Sequence, residues 1–101
     1  MLFRSDYTTS FAVGENASFL ARLTKSYGVS NDTIVVLFVI RDSEGNLYSI
    51  SAQEHIWSDM WYRNYGELDV PSLPDAPGDY TLDIYFNGMI ATTQAFTMYQ
   101  E

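Results

Sequence analysis

The feature that most constrains this chain is its period of two. Tyr80, Leu82, Ile84 and Phe86 alternate with Thr81, Asp83 and Tyr85, and Asn87-Gly88 follows at once. That alternation places one set of side chains on each face of a strand, and Asn-Gly supplies the two positive-φ residues that a type I′ hairpin turn needs. Met89 to Tyr99 is then the closing strand. Upstream, Tyr7, Thr9, Phe11 and Val13 alternate until Gly14-Glu15-Asn16 stops them. Phe19, Ala21 and Leu23 alternate with Ser18, Leu20, Arg22 and Thr24 up to a polar loop over 26–32. Residues 33–41 form a β-branched apolar run, and Asp42-Ser43-Glu44-Gly45-Asn46 reads as a hairpin loop with Gly45 in a left-handed position. The return strand starts at 47–52, with Tyr48, Ile50 and Ala52 on one face. Pro71, Pro74, Pro77 and Gly78 punctuate a loop before the last hairpin, and Gly66 to Val70 is a short strand burying Leu68 and Val70.

One segment breaks the pattern. Ile56, Trp57, Met60 and Trp61 fall at i, i+1, i+4 and i+5, the face of a short helix. The spacing predicts a helical turn near residues 53–62, with an irregular aromatic crossover as the alternative. The whole chain thus reads as one all-β domain over 1–101, antiparallel, of about seven strands, the size and count of an immunoglobulin-like sandwich.

Composition narrows the function. A chain 47% hydrophobic and 16% aromatic folds rather than staying disordered. Five Lys+Arg against 13 Asp+Glu, a net charge of −8, argue against nucleic acid, whose phosphates need cations to displace their counterions. With no cysteine, the chain has no disulfide, no thiol nucleophile and no Cys-ligated metal. The longest apolar run, 34–40, is strand-sized and far short of the roughly 20 residues of a membrane helix, so no membrane insertion is expected. No basic region followed by an apolar stretch opens the chain. Two origins fit equally: a domain of a bacterial surface or secreted protein, or a stand-alone cytosolic or phage protein.

The stretch from Leu73 through Pro74-Asp75-Ala76-Pro77-Gly78-Asp79-Tyr80 to Asn87-Gly88 resembles the end of bacterial immunoglobulin-like and fibronectin-III-like accessory domains, where a Pro-Gly-x-Tyr corner feeds the penultimate strand. Phe11-Ala12-Val13-Gly14-Glu15 and the hairpin over 41–48 are similar in style. The resemblance covers most of the chain and implies a fold rather than an activity. The chain departs from antibody-type domains in having no cysteine pair and no Trp in the third strand.

Candidate sites are few. His55 is the only histidine, so a Ser–His–Asp arrangement would have to use it with Glu54, Ser58 or Asp59. Local spacing does not bring those groups into a cleft, and an ordinary surface or packed histidine accounts for it. Metal binding by Glu54, His55 and Asp59 is a minor reading as well; the acid excess makes a calcium site slightly more plausible, but Asp42-Ser43-Glu44-Gly45 lacks the spacing of a calcium loop and reads as a turn. Asn16-Ala17-Ser18 and Asn31-Asp32-Thr33 are glycosylation sequons, but chance alone gives about one in a chain with this composition, so two prove nothing. The aromatic cluster Trp57, Trp61, Tyr62 and Tyr65 reads either as a plug over one end of the core or as a stacking platform for a sugar, and the plug is favoured.

The run 33–41 carries the sharpest signal. Ile34, Val36, Phe38 and Ile40 are expected to face the core, which turns Val35, Leu37 and Val39 outward, where an antiparallel sheet normally shows water polar side chains. Tyr85 and the small residues Ala91, Thr93 and Ala95 are the expected neighbours. Such a face needs a cover: the 52–65 segment, a second copy, or a partner protein. The expectation is therefore a non-catalytic protein-interaction or self-assembly domain using Val35, Leu37, Val39 and Tyr85, with no cofactor and no metal. The alternatives are a carbohydrate-binding module using Trp57, Trp61 and Tyr62, and a small acidic phage-type inhibitor of a basic enzyme surface.

Overall fold

The computed structural model describes residues 10–21, 28–29, 31–57, 66–70 and 72–100. Among them the chain is all-β, with seven strands and no helix: β1 (Ser10–Ala12), β2 (Ala17–Ala21), β3 (Thr33–Asp42), β4 (Leu47–Ile56), β5 (Gly66–Val70), β6 (Gly78–Phe86) and β7 (Met89–Tyr99). None of the described residues forms a helix long and apolar enough to cross a membrane.

Both hairpins form where their turn residues place them. Asn87 and Gly88 have φ of 50° and 82°, the positive pair of a type I′ turn, and Gly45 has φ of 85°. Asn87 also ties the turn to β3. Its N–H donates to the Val35 carbonyl at 2.9 Å, and its Oδ1 accepts from the Val35 N–H at 3.0 Å. Asn87→Ala loses that side-chain acceptor and tolerates positive φ less well than asparagine, so it is expected to cost about 1–2 kcal/mol. A urea midpoint indistinguishable from wild type would show that the turn's geometry does not depend on the amide.

The strands divide into a five-stranded sheet, order β1-β7-β6-β3-β4, and a two-stranded ribbon of β2 and β5. The expectation of a purely antiparallel fold needs correcting, because β1 runs parallel to β7. Hairpin connections force antiparallel neighbours, but the first and last strands are joined by no short loop, so either direction is open to them. Register shifts between Ile40 and Arg41 and between Ile84 and Tyr85 break the ladders of β3–β4 and β6–β7. Such bulges bend a strand and increase its twist, and here they accompany a sheet curled into a half-barrel rather than one of two clear layers.

The helical turn expected near residues 53–62 is corrected over 53–57, the part that lies among the described residues. β4 runs in register with β3 from Ser49 to Ile56, which pairs with Thr33. Along it Ser49, Ser51, Gln53 and His55 are half-buried while Ile50, Ala52, Glu54 and Ile56 are exposed, a period of two. The ladder with β3 pairs the backbone groups of alternate residues, Ser51, Gln53 and His55 among them, and a helix of one or two turns leaves most of its backbone groups unpaired. Residues 58–62 lie outside the described residues.

The concave side of the sheet holds the core. Ile34, Val36, Phe38 and Ile40 from β3 meet Tyr80, Leu82, Ile84 and Phe86 from β6 and Phe96 and Met98 from β7, as the alternation predicts. Leu68 and Val70 of β5 join the same cluster, and Gln53 Nε2 donates across to the Asp69 carbonyl at 3.2 Å. Trp57 follows β4 into this core, edge-on to Phe86 with ring centroids 6.3 Å apart. Gly28 makes room for it, since a Cβ there would stand 3.1 Å from both Trp57 Cγ and Ile34 Cγ2.

At the other end of the sheet, Tyr80 forms the corner. Its hydroxyl donates to the Ala76 carbonyl at 2.9 Å, and its ring stacks on Phe96 with centroids 5.6 Å apart. Tyr48 meets Tyr80 edge-on at 5.7 Å and donates from its own hydroxyl to Asp75 Oδ1. Tyr48 sits where Ile40 pairs with Ser49 but Arg41 with Leu47. That bulge turns it toward Tyr80, away from the face it was expected to share with Ile50 and Ala52. Burial pushes the Tyr80 phenol above its usual pKa, and Tyr48, Asp42 and Asp75 add to the shift.

Candidate functional site

The convex face of the five-stranded sheet gathers the odd-numbered residues of β3 and β6. Leu37 pairs with Ala52 on one side and Tyr85 on the other, and Tyr85 pairs with Ile90. An apolar row therefore crosses four strands in the order Ala52, Leu37, Tyr85, Ile90. Beside it, Val39 pairs with Ile50 and Asp83, and Asp83 with Thr93. Val35, Ile50 and Ile90 are 43%, 56% and 53% exposed, while Leu37 and Tyr85 are half-buried.

Val39 departs from expectation. It shares the outward parity but is only 5% exposed, so it is not a free contact residue. It occupies the middle of the sheet between Ile50 and Asp83, where neighbours on both sides shade a short side chain. Ala91 departs too. The shift between Ile84 and Tyr85 leaves it packed against the core, and Ile90 takes the place beside Tyr85. Thr93 and Ala95 are in register with Asp83 and Thr81, as expected of that face.

Ile50 and Ile90 are the members that pattern reading missed. The signal for Ile90 was present in the hairpin arithmetic: a two-residue Asn87-Gly88 turn pairs Phe86 with Met89 and hence Tyr85 with Ile90.

The acids around this face are largely engaged. Asp83 accepts from Thr93 Oγ1 at 2.6 Å and Asp79 from Thr97 Oγ1 at 2.8 Å, each from the residue directly opposite in register. Asp42 Oδ1 accepts the N–H groups of Glu44 and Asn46, both at 2.9 Å, which accounts for the acidic loop as a turn.

The remaining candidates separate. Glu54 and His55 are consecutive on β4 and project to opposite faces. His55 lies half-buried on the core side, 2.8 Å from Gln53 Oε1. Ser58 and Asp59 fall outside the described residues, and among the described residues no group of acids and histidine could hold a metal ion. Trp57 is 1% exposed and presents no ring face for a sugar to stack on. Trp61, Tyr62 and Tyr65 lie outside the described residues. No family model, curated protein or solved structure matches the chain.

Proposed function

We propose that this chain is a non-catalytic protein-interaction module, an immunoglobulin-like sandwich of the kind found as bacterial accessory domains, that docks another protein on the convex face of its five-stranded sheet. The observation that carries the reading is the apolar row Ala52–Leu37–Tyr85–Ile90, flanked by exposed Val35 and Ile50. An antiparallel sheet that faces only water shows a polar outer side, and a contiguous apolar one marks a contact surface. The sandwich assignment is supported by three features. β1 lies parallel to the last strand, β2 and β5 pair apart from the other five, and Tyr80 hydrogen-bonds back to Ala76 in the manner of a tyrosine corner. The net charge of −8 favours a partner with a basic surface.

The test uses variants that leave the core alone. Val35→Lys and Ile90→Lys are each expected to change stability by less than about 0.5 kcal/mol, because both side chains are exposed. Each is expected to abolish low-salt, cross-linked capture of a basic protein by the immobilised chain, while Ser43→Lys on the hairpin loop retains it. Capture unaffected by either face variant sinks the reading.

A further inference from the structure

Among the described residues, the β4 edge of the five-stranded sheet is a surface in its own right. β4 ends the order β1-β7-β6-β3-β4, and among the described residues no strand pairs with its outer side. The direction of its backbone groups follows from β3. Both the N–H and the C=O of Val35 bond to Asn87, on the β6 side. Odd-numbered residues of β3 therefore point their backbone groups at β6, and even-numbered ones at β4. Ile34, Val36 and Phe38 pair with His55, Gln53 and Ser51, and the Trp57 N–H donates to the Asp32 carbonyl at 2.7 Å, in the same phase. The backbone groups of Ile50, Ala52, Glu54 and Ile56 consequently point away from the sheet, along the open edge.

Edges of this kind are commonly blunted by shortness, proline, lysine or an inward charge. β4 is ten residues long and contains neither proline nor lysine. Its exposed side chains Ile50, Ala52 and Ile56 continue the apolar row of the convex face, so edge and face form one surface. One acid, Glu54, lies on the strand itself, and others stand at its ends: Asp32 opposite Trp57, and Asp42, Glu44 and Asp75 around the turn and Tyr48 at the Leu47 end. Arg41, opposite Leu47, is the one cation among the described residues.

We infer that β4 is a strand-addition site, whose occupant is an extended basic segment of another protein with alternating apolar side chains. The inference rests on the protein-interaction reading above and specifies its mode. Backbone hydrogen bonds to Ile50, Ala52, Glu54 and Ile56 supply the pairing. Apolar side chains extend the convex row, and cations meet the acids. A second copy of this chain is disfavoured as occupant, because it brings the same acids against themselves with −8 on each side.

The probe is a synthetic peptide alternating valine with lysine, compared with one alternating valine with glutamate. The lysine peptide is expected to bind the wild-type chain at least about tenfold more tightly, and to slow amide exchange at Ala52 and Glu54 but not at Ser51. Ala52→Pro removes an N–H that β3 does not use, so the fold is expected to stand while binding falls about tenfold or more. Glu54→Lys, which keeps the backbone, is expected to narrow the preference for the lysine peptide.

No binding of the lysine peptide at about 1 mM overturns the inference. So does exchange slowed equally at Ser51, or binding that survives Ala52→Pro. If that survival accompanies loss in Ile90→Lys, the partner sits on the face and not the edge, and the interaction reading stands without strand addition. A dimer of the wild-type chain in sedimentation, absent in Ala52→Pro, assigns the edge to a second copy and overturns it as well.

Discussion

Trp57→Ala is expected to lower the unfolding free energy by about 3–5 kcal/mol, the range for a large aromatic removed from a packed interior. Native domains of this size hold about 5–15 kcal/mol, so the variant loses a large part of its stability. The indole is 1% exposed and meets Phe86 edge-on, and Gly28 lies close enough that a Cβ there would crowd it. Few neighbours can collapse into the space it leaves, because Ile34 and Phe86 are themselves fully packed. Urea denaturation gives the number. Two further experiments test the geometry. Trp57→Leu with Phe86→Leu in a double-mutant cycle is expected to couple by about 0.5–1.5 kcal/mol, the value of an edge-on ring pair. Gly28→Ala is expected to destabilise by about 1 kcal/mol, since over-packing exceeds the small entropic gain of replacing glycine. A loss under about 1 kcal/mol for Trp57→Ala would show that the ring is not held as described.

Tyr80→Ala is expected to cost about 3 kcal/mol or more, since it removes the ring stacked on Phe96 and met edge-on by Tyr48. Tyr80→Phe separates the hydroxyl from the ring. It forfeits only the bond to the Ala76 carbonyl, about 1 kcal/mol. The hydroxyl also predicts a pH dependence. Its pKa is raised in the folded state, by burial first and then by Tyr48, Asp42 and Asp75. Folding therefore favours the neutral phenol. Its contribution is complete below the unfolded value of about 10 and is lost as pH rises through the higher folded value. The stability difference between wild type and Tyr80→Phe is thus expected to hold level up to about pH 10 and to shrink above it. A difference that widens with alkali would reverse the sign and refute the account.

The convex face shows how far pattern reading reaches. Period two alone placed Ile34, Val36, Phe38 and Ile40 inside and Val35 outside, because successive side chains of a strand must alternate. It also placed Leu37 beside Tyr85, given that β3 and β6 pair. The alternation could not show that Val39 is shaded, since exposure depends on which strands lie on either side. Nor could it place Ala91, because a bulge inserts a residue without any signature in the hydrophobic pattern. The helical reading of adjacent Ile56 and Trp57 misled for a related reason. Ile56 completes the exposed side of a strand and Trp57 turns into the core, so adjacent apolar residues at a strand end look like one helix face.

By itself the sequence determined that the chain is all-β, where its hairpins turn, and which residues of each long strand share a face. Those properties are local: φ preferences at Asn87 and Gly88, and the geometry of one extended strand, decide them within a few residues. The tertiary structure alone decided that β1 runs parallel to β7, that the sheet curls, that Tyr48 leaves its face for Tyr80, and that β4 is an open edge among the described residues. Each of these depends on pairing between segments distant in sequence. There the energy lies in which backbone groups and side chains meet, and no residue carries that information within its own neighbourhood.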